Sequence, residues 1–304
     1  MQVDLKIGTR GSPLALAQAH MVRDLLSARN PGLAPAEIIV IKTTGDRVLD
    51  RTLAEIGGKG LFTKEIEEAL FDGTIDLAVH SMKDVATVLP PGLVIDCFLE
   101  REDPRDALIG AASLDALAPG ARVGTASLRR GAQLRARRPD LVVEPLRGNV
   151  GTRLNKIAEG AFDATFLALA GLRRLGMADR ADGILEPEVL LPAIAQGIIG
   201  VEYRAEDART AALLAPLNHA PSGLAAACER AFLRVLDGSC KTPIAGLARL
   251  DAAGGLHFLG ETLAPDGSRR LAVERRGQAV DAVAIGEAAA RELLDRGAAA
   301  LLGR

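Results

Sequence analysis

The stretch KIGTRGSPLALAQ, residues 6–18, combines a short strand-forming run, a Gly-Thr pair and a serine directly before a helix-forming segment. The stretch RVGTASLRRGAQL, residues 122–134, repeats this order. In each stretch the serine stands where a helix N-cap is expected, because its hydroxyl can accept from the exposed amides of the first turn. Two later strand-like runs that open with aspartate, at Asp76 and Asp163, extend the parallel. We therefore predict two similar α/β lobes, although the shared stretches are too short to establish a duplication.

Strand and helix patterns alternate through most of the chain, which is typical of α/β domains with mostly parallel sheets. From about residue 244 three strand-like runs precede one helix, predicted at 285–301, which is an α+β pattern. We predict two crossings between the lobes, at 99–108 and 191–200, which would form a hinge beside an interdomain cleft. The predicted domains are lobe 1 at 1–98 plus 198–216, lobe 2 at 103–193, and a C-terminal α+β domain at 220–304.

Composition narrows the classes of partner. The 304 residues carry a net charge of −2, so no overall field attracts nucleic acid or an anionic membrane. Aromatic residues make up only 3% with no Trp, which argues against a binder of single strands. The N-terminus shows no signal peptide, and the longest uncharged run, 210–228, contains two prolines, so we predict no membrane span. We expect a cytoplasmic protein without a nucleic-acid or membrane partner.

The three cysteines are Cys97, Cys228 and Cys240. They lack CxxC spacing, which argues against a disulfide framework and a zinc site, and we predict no metal. We interpret Cys97 and Cys228 as buried thiols, because each lies in an apolar strand or helix pattern. Cys240 differs, since glycine, serine and lysine flank it in DGSCK. We therefore single out Cys240 as a thiol with a function.

Arginines concentrate where a helix is expected to begin in the second lobe. Arg129 and Arg130 follow Thr125 and Ser127, and cations there oppose the helix dipole at a cost of about 0.3–1 kcal/mol. An anionic ligand explains that cost, since guanidinium groups bind carboxylate or phosphate in pairs. The first lobe repeats the arrangement with Thr9, Arg10 and Ser12. No phosphate-binding glycine motif occurs, so we expect carboxylates. We assign Arg135, Arg137 and Arg138 to a solvated helix face.

The segment HSMKD, residues 80–84, follows a buried-looking strand, where residues that line a cleft of an α/β lobe are found. We interpret His80 as structural and Asp84 as catalytic. A carboxylate at this position could stabilise a developing cation or transfer a proton.

Nine stretches, taken together and in order, closely resemble the porphobilinogen deaminase family. They are GTRGSPLALAQA, GGKGLFTKEIE, DLAVHSMKDV, EREDPRDAL, GTASLRR, LRGNVGTRL, LALAGLRRLG, LPAIAQGIIGVE and ERAFLRVLDGSCKTPIAG. The resemblance implies condensation of four porphobilinogen molecules, with loss of ammonia, into the linear tetrapyrrole hydroxymethylbilane. It also implies a dipyrromethane cofactor in thioether linkage to Cys240, a monomer, and three domains of which the first two are like periplasmic binding proteins.

By position, the resemblance also implies roles for the site residues, with Asp84 facing the pyrrole nitrogens. The residues implied to hold the cofactor carboxylates are Lys83, Thr125, Ser127, Arg129, Arg130, Arg147, Asn149 and Arg153. Those implied to serve the substrate or the growing chain are Thr9, Arg10, Ser12, Lys59, Arg174 and Gln196. Porphobilinogen carries an acetate and a propionate, so a chain of pyrroles is a polyanion. Such a polyanion matches the carboxylate ligand that the arginines predict. Lys241 would favour the Cys240 thiolate.

The chain departs from the family pattern at four places. Ala86 stands where the family usually has a proline, and Ala195 stands where it usually has a glycine before Gln196. We predict a mobile lid around GGKG, residues 57–60, and Glu55 takes a lid position that a basic residue commonly occupies. Ser239-Cys240-Lys241 replaces the commoner Gly-Cys-Gln. Two rival interpretations remain: a solute-binding module, which leaves Cys240 and the third domain unexplained, and an RNA-binding protein, which few aromatics and the acidic balance disfavour.

Overall fold

The computed structural model describes residues 5–44, 63–239 and 242–303. The described chain divides into two compact units. The first contains residues 5–44, 63–102 and 198–223, and the second contains 103–197, 224–239 and 242–303. The chain therefore passes between the units at 102/103, 197/198 and 223/224, and the first two points lie inside the predicted crossings. Because the second lobe and the C-terminal sheet fall into one unit, the boundaries of a three-domain division stay a prediction.

The first unit is an α/β lobe built on one five-stranded sheet. Its elements are β1 (Lys6–Arg10), α1 (Pro13–Arg29), β2 (Glu37–Ile41), α2 (Lys64–Phe71), β3 (Leu77–Ser81), β4 (Leu93–Phe98), β10 (Ile199–Arg204) and α6 (Ala208–Leu214). The strand order is β2-β1-β3-β10-β4. Strands β1, β2 and β3 are parallel, whereas β10 is antiparallel to both β3 and β4. Its core joins Leu5, Ile7, Leu26, Leu77 and Val201, all fully buried.

The second lobe repeats this plan. Its elements are β5 (Asp106–Ile109), β6 (Arg122–Gly124), α3 (Leu128–Arg137), β7 (Val142–Glu144), α4 (Val150–Ala158), β8 (Ala164–Ala168), α5 (Leu169–Arg174) and β9 (Gly183–Leu185). The strand order is β7-β6-β8-β5-β9, in which β5 is antiparallel to β8 and β9. In each lobe the antiparallel strand is the first strand after a crossing. The prediction of two similar lobes is confirmed.

The C-terminal part of the second unit is a three-stranded antiparallel sheet with helices. Its elements are α7 (Ala220–Val235), β11 (Ile244–Leu250), β12 (Gly255–Leu263), β13 (Arg270–Gln278), α8 (Ala282–Asp295) and α9 (Ala298–Leu301). Helix α8 packs closely on α7, since a Cβ at Gly286 would lie 2.1 Å from the Cys228 carbonyl oxygen. The predicted fold class is confirmed: two α/β lobes and a small α+β domain.

The predicted single helix at 285–301 is wrong in two respects. The helix begins earlier, at Ala282, and it ends at Asp295. A separate short helix follows Gly297, whose φ of 91° lies in the left-handed region that ends helices. Among the described residues, every helix is too short or too polar to pass through a bilayer.

Candidate active site

Both lobes present their candidate residues at one edge of a sheet. In the first lobe β1 and β3 run parallel, with Ile7 opposite Leu77. Their carboxyl ends therefore lie side by side, and each leads into a turn with predicted site residues. Arg10 is the last residue of β1 and Ser12 lies in the turn after it, whereas the turn after β3 carries Lys83 and Asp84.

Local hydrogen bonds fix the first turn. The Ser12 hydroxyl accepts from the Ala15 amide at 3.3 Å and caps α1, as the sequence predicts. The buried Thr9 hydroxyl donates to the Ala15 carbonyl at 3.2 Å. A further hydrogen bond joins α1 to the end of β3, because Gln18 Nε2 donates to the Ser81 hydroxyl at 2.8 Å. Thr9 and Ser12 thus hold the turn, and Arg10 lies half-buried between them.

Asp84 ends a short 3₁₀ turn, Met82–Asp84, that follows β3. Its anchor is Met82, which is 2% exposed and whose amide donates to the Ile198 carbonyl at 3.0 Å. Asp84 itself is exposed, and no hydrogen bond or ion pair engages its carboxylate among the described residues. The fold therefore holds a carboxylate on a rigid turn and leaves it open to a ligand.

His80 is buried in the same strand, and its Nε2 lies 2.9 Å from Glu202 Oε2 of β10. Glu202 is fully buried. The interpretation of His80 as a structural residue agrees with this buried pair, which ties β3 to the neighbouring strand below the Asp84 turn.

In the second lobe, two predicted site residues are helix N-caps. The Ser127 hydroxyl accepts from the Arg130 amide at 3.4 Å and caps α3, and the Asn149 Oδ1 accepts from the Thr152 amide at 2.9 Å and caps α4. Thr125 supports the first cap, because its hydroxyl accepts from the Ser127 amide at 3.2 Å. Neither helix carries an acidic residue in its first turn, so both N-termini keep their positive end.

Arg129 and Arg130 are each only 5% exposed and meet at a carboxylate that the sequence analysis did not identify, Asp106. Arg129 Nη2 lies 2.7 Å from Asp106 Oδ2, and Arg130 Nη2 lies 2.7 Å from Oδ1. Gln196 Nε2 donates to the same Oδ1 at 2.8 Å. The structure therefore brings three predicted site residues together around one fully buried carboxylate. Its place in the motif EREDPRDAL is the only sequence signal that could have pointed to it.

This cluster controls the ionisation of Asp106. Burial raises the pKa of the Asp106 carboxyl, but the Arg129 and Arg130 guanidiniums lower it by more, so its pKa lies well below the ordinary range. Asp106 is therefore a carboxylate at neutral pH. Two guanidiniums and one carboxylate leave one positive charge in the cluster.

The three other arginines predicted for the site in the second lobe, Arg147, Arg153 and Arg174, do not contact Asp106 in the described chain. Arg147 is half-buried, and its Nη1 is a buried donor without a hydrogen-bond partner in the described part of the chain. Arg153 Nε donates to the Gly148 carbonyl at 2.9 Å, and Arg174 Nη2 donates to the Gly197 carbonyl at 2.6 Å. A buried guanidinium N–H without an acceptor costs free energy, which an anionic ligand would remove.

Gln196 owes its position to an unusual backbone. Ala195, directly before it, has φ 57°, in the left-handed region that favours glycine. The Ala195 amide donates to Glu229 Oε2 of α7 at 2.5 Å, and Glu229 Oε1 accepts from the Ala248 amide at 2.8 Å. Glu229 is fully buried and was also missed by the sequence analysis. The usual glycine of the family at position 195 is explained by this φ.

Two of the three cysteines are buried, as predicted. Cys97 and Cys228 are buried free thiols, 3% and 0% exposed. Burial raises the pKa of each thiol to about 12, which keeps both unreactive at neutral pH. Cys240 and Lys59 lie outside the described residues, as do Glu55, Lys241 and the predicted lid.

Asp84 and Lys83 belong to the first unit, whereas Arg129, Arg130 and Gln196 belong to the second. That the two sets face one cleft stays a prediction.

Comparisons with known proteins identify the family of this chain. A family model described as "Porphobilinogen deaminase, dipyromethane cofactor binding domain" matches residues 5–212, and one described as "Porphobilinogen deaminase, C-terminal domain" matches 224–295. The chain is 59% identical to the porphobilinogen deaminase of Paracoccus denitrificans over 97% of its own length and 95% of that protein. It is 54% identical to the chloroplastic porphobilinogen deaminase of Pisum sativum, over 96% of this chain and 81% of that one.

Solved structures with a similar fold are solute-binding domains. One is the second substrate-binding domain of a putative amino acid ABC transporter from Streptococcus pneumoniae, with 14% identity, coverage of 71% of this chain and 92% of that chain, and a TM-score of 0.43. Another is the probable amino-acid-binding protein YtmK of Bacillus subtilis, with 10% identity, coverage of 69% and 88%, and a TM-score of 0.42. The family models and the sequence identity with the two relatives show that the chain belongs to the porphobilinogen deaminase family and is a transferase of porphyrin synthesis with a dipyrromethane cofactor.

Proposed function

We propose that this chain condenses four porphobilinogen molecules head to tail, with loss of ammonia, into hydroxymethylbilane, with Asp84 as the catalytic carboxylate and Cys240 as the attachment point of the cofactor. The observation that carries the proposal is the excess of fixed guanidinium in the second lobe. Arg129 and Arg130 are locked in place by Asp106 with one positive charge to spare, and Arg147 offers a buried N–H without an acceptor in the described chain.

These residues fit a dipyrromethane that carries acetate and propionate groups. The dipyrromethane supplies a tethered primer to which further pyrroles are added. Its carboxylates would be held by Lys83, Thr125, Ser127, Arg129, Arg130, Arg147, Asn149 and Arg153. The incoming substrate or the growing chain would be held by Thr9, Arg10, Ser12, Lys59, Arg174 and Gln196. Hydrogen bonds already fix many of these side chains, so they can orient a ligand at little further cost in entropy. The bonds lie within the local turn for Thr9, Ser12, Thr125, Ser127, Asn149 and Arg153, and reach Asp106 for Arg129, Arg130 and Gln196.

Asp84 is suited to cationic chemistry. When porphobilinogen loses ammonia, positive charge develops on its pyrrole nitrogen, and a fixed carboxylate nearby stabilises that charge. Asp84 is exposed on a turn that the buried Met82 anchors, so it can accept an N–H bond without first breaking a protein contact in the described chain.

Cys240 is proposed as the attachment point by comparison with the other two thiols. The sequence holds three cysteines, and burial raises the pKa of Cys97 and Cys228 to about 12. A thioether forms through a thiolate, which these two side chains do not provide at neutral pH.

The attachment is tested by intact-protein mass spectrometry. We expect the purified protein to carry extra mass equal to two linked pyrrole units, and we expect Cys240→Ser to lack it. Cys97→Ala and Cys228→Ala are the matched controls and should keep the adduct. An unmodified wild-type protein that turns over porphobilinogen would refute the tether, and an adduct that persists in Cys240→Ser would move it to another residue.

The role of Asp84 is tested by substitution. Asp84→Ala should lower kcat by about 10²–10⁴-fold, the usual contribution of a positioned acid-base or electrostatic group. Because the side chain is exposed, the free energy of unfolding should stay within about 0.5 kcal/mol of the wild-type value. Asp84→Glu keeps the charge and should retain part of the activity. Wild-type turnover in the alanine variant would remove the assignment.

We further propose that the protein works in the cytoplasm as a monomer, on a small-molecule substrate and without nucleic acid. Free buried thiols at Cys97 and Cys228 suit a reducing compartment, and the net charge of −2 offers no general attraction for nucleic acid. Light scattering during gel filtration should give the mass of one chain, and a mass of two chains or more would refute the monomer.

A further inference from the structure

We propose that Asp106 is a positioning residue of the condensation reaction: its carboxylate holds Arg129, Arg130 and Gln196 in the orientation in which they bind the carboxylates of the cofactor and the growing chain. The inference rests on the proposed function of those three residues. Asp106 itself would touch neither substrate nor cofactor.

The position of Asp106 in the sheet places it beside the predicted site. Asp106 is the first residue of β5 and pairs with Ala168, the last residue of β8. Because β5 runs antiparallel to β8, its first residue lies at the same edge as the carboxyl ends of the parallel strands, where Ser127 caps α3. A fully buried carboxylate thus lies directly beneath the edge that carries the predicted site.

Four side-chain hydrogen bonds converge on the Asp106 carboxylate. Oδ1 accepts from Arg130 Nη2 at 2.7 Å and from Gln196 Nε2 at 2.8 Å. Oδ2 accepts from Arg129 Nη2 at 2.7 Å and from Arg130 Nε at 3.3 Å. All the side chains that donate come from the predicted site, and the carboxylate reaches its full capacity of about four acceptor positions.

Arg129 and Arg130 use only part of their N–H donors within the described chain. An arginine carries five N–H donors. Arg129 directs two to Asp106 and the Leu191 carbonyl, and Arg130 directs three to Asp106 and the Phe166 carbonyl, within the described chain. Both guanidiniums are therefore fixed at one side and retain donors for a ligand. A core whose only task was stability would use apolar residues, since buried ion pairs contribute little net stability.

The charge balance supports the same conclusion. Glu261 of β12 is the other carboxylate whose charge acts on Arg129. Its Oε2, however, accepts from Arg270 Nε at 2.6 Å. With Arg270 counted, three guanidiniums face two carboxylates, and the cluster still keeps one positive charge. The spare charge suits one anionic group of a ligand.

The test compares Asp106→Asn with a core variant of the same strand, Leu108→Val, which lowers stability without touching the arginines. Three quantities are measured for each: the unfolding midpoint, the fraction of protein that carries the adduct by intact mass, and kcat and KM for porphobilinogen. We expect Asp106→Asn to lower the loaded fraction, or to raise KM in the loaded protein, by roughly tenfold or more, because a charge-assisted hydrogen bond is worth about that factor in binding. Leu108→Val should leave both near wild type.

Equal loading and equal KM in Asp106→Asn and Leu108→Val would overturn the proposal and leave Asp106 a purely structural residue. If Asp106→Asn does not fold, Asp106→Glu serves in its place: it keeps the charge but displaces the carboxylate, and the same comparison with Leu108→Val decides. A wild-type protein without adduct or turnover would instead refute the proposed function, so the two failures are distinguishable.

Discussion

The glycine at position 200 should be essential to the geometry of the Asp84 turn. A Cβ at Gly200 would lie 2.2 Å from Met82 Sδ and 2.9 Å from Ile95 Cγ2. The first distance falls 1.2 Å short of the 3.4 Å at which ordinary contact begins. Met82 is 2% exposed, so it cannot move out into solvent. In Gly200→Ala, Met82 must therefore shift, and the adjoining Lys83 and Asp84 shift with it.

The expected magnitude follows from this crowding. Overpacking a core by one methyl costs about 1–3 kcal/mol, and the stiffer unfolded chain of the alanine variant returns about 0.4–1 kcal/mol. We expect the free energy of unfolding to fall by about 1–2 kcal/mol. A misplacement of about 1 Å in a catalytic group can cost roughly a hundredfold in rate, so kcat should fall between ten- and a hundredfold.

The assay is urea unfolding together with steady-state turnover of porphobilinogen. The control is a double-mutant cycle with Met82→Ala, which removes Met82 Sδ, the nearest of the crowded atoms, and leaves Ile95 Cγ2 in place. In that background Gly200→Ala should cost at least about 1 kcal/mol less, because contacting residues couple by about 0.5–3 kcal/mol. Wild-type stability and kcat in Gly200→Ala, or additive effects in the cycle, would refute the reasoning.

Three further predictions follow from local geometry. Ala195→Gly should stabilise the fold by up to about 1 kcal/mol, since left-handed strain of about 1–2 kcal/mol outweighs the added chain entropy of about 0.4–1 kcal/mol; a loss of stability in urea unfolding would contradict this. Ser127→Ala should cost about 1 kcal/mol through the lost cap of α3, whereas Ser127→Asp should retain most of the stability; equal unfolding midpoints of the two variants would contradict the capping role. The depressed pKa of Asp106 contributes stability that is fully present above its unfolded pKa of about 3.9 and is lost as the pH falls from there through the folded pKa. Asp106→Asn should therefore flatten the acid limb of the stability profile, and an unchanged limb would contradict it.

Local signals in the sequence predicted much of the fold. A serine before a helical pattern marks an N-cap through short-range chemistry, and α1 and α3 begin after Ser12 and Ser127 as predicted. The prediction failed where a local signal was overlooked: Gly297 ends α8 and α9 follows it, although the apolar spacing continues across the glycine.

The role of Asp106 could not be predicted from the sequence, because its hydrogen-bond partners are distant from it in the chain. In EREDPRDAL it stands among charged residues that are typical of a surface. Only the tertiary fold brings Arg129, Arg130 and Gln196 to it. The same holds for Arg135 and Arg138, which we assigned to a solvated face but which are half-buried, whereas Arg137 is exposed as predicted. All three donate to backbone carbonyls of residues distant in the chain.

The antiparallel strand β10 has a consequence for synthesis of the protein. It lies between β3 and β4 in the first sheet, yet the ribosome makes it roughly a hundred residues after β4. At about 5–20 residues per second, the nascent N-terminal half waits roughly 5–20 s with a gap through the centre of its sheet. The strands of the second lobe, β5 to β9, meanwhile emerge without interruption, so of the two lobes the second can complete its sheet before the first.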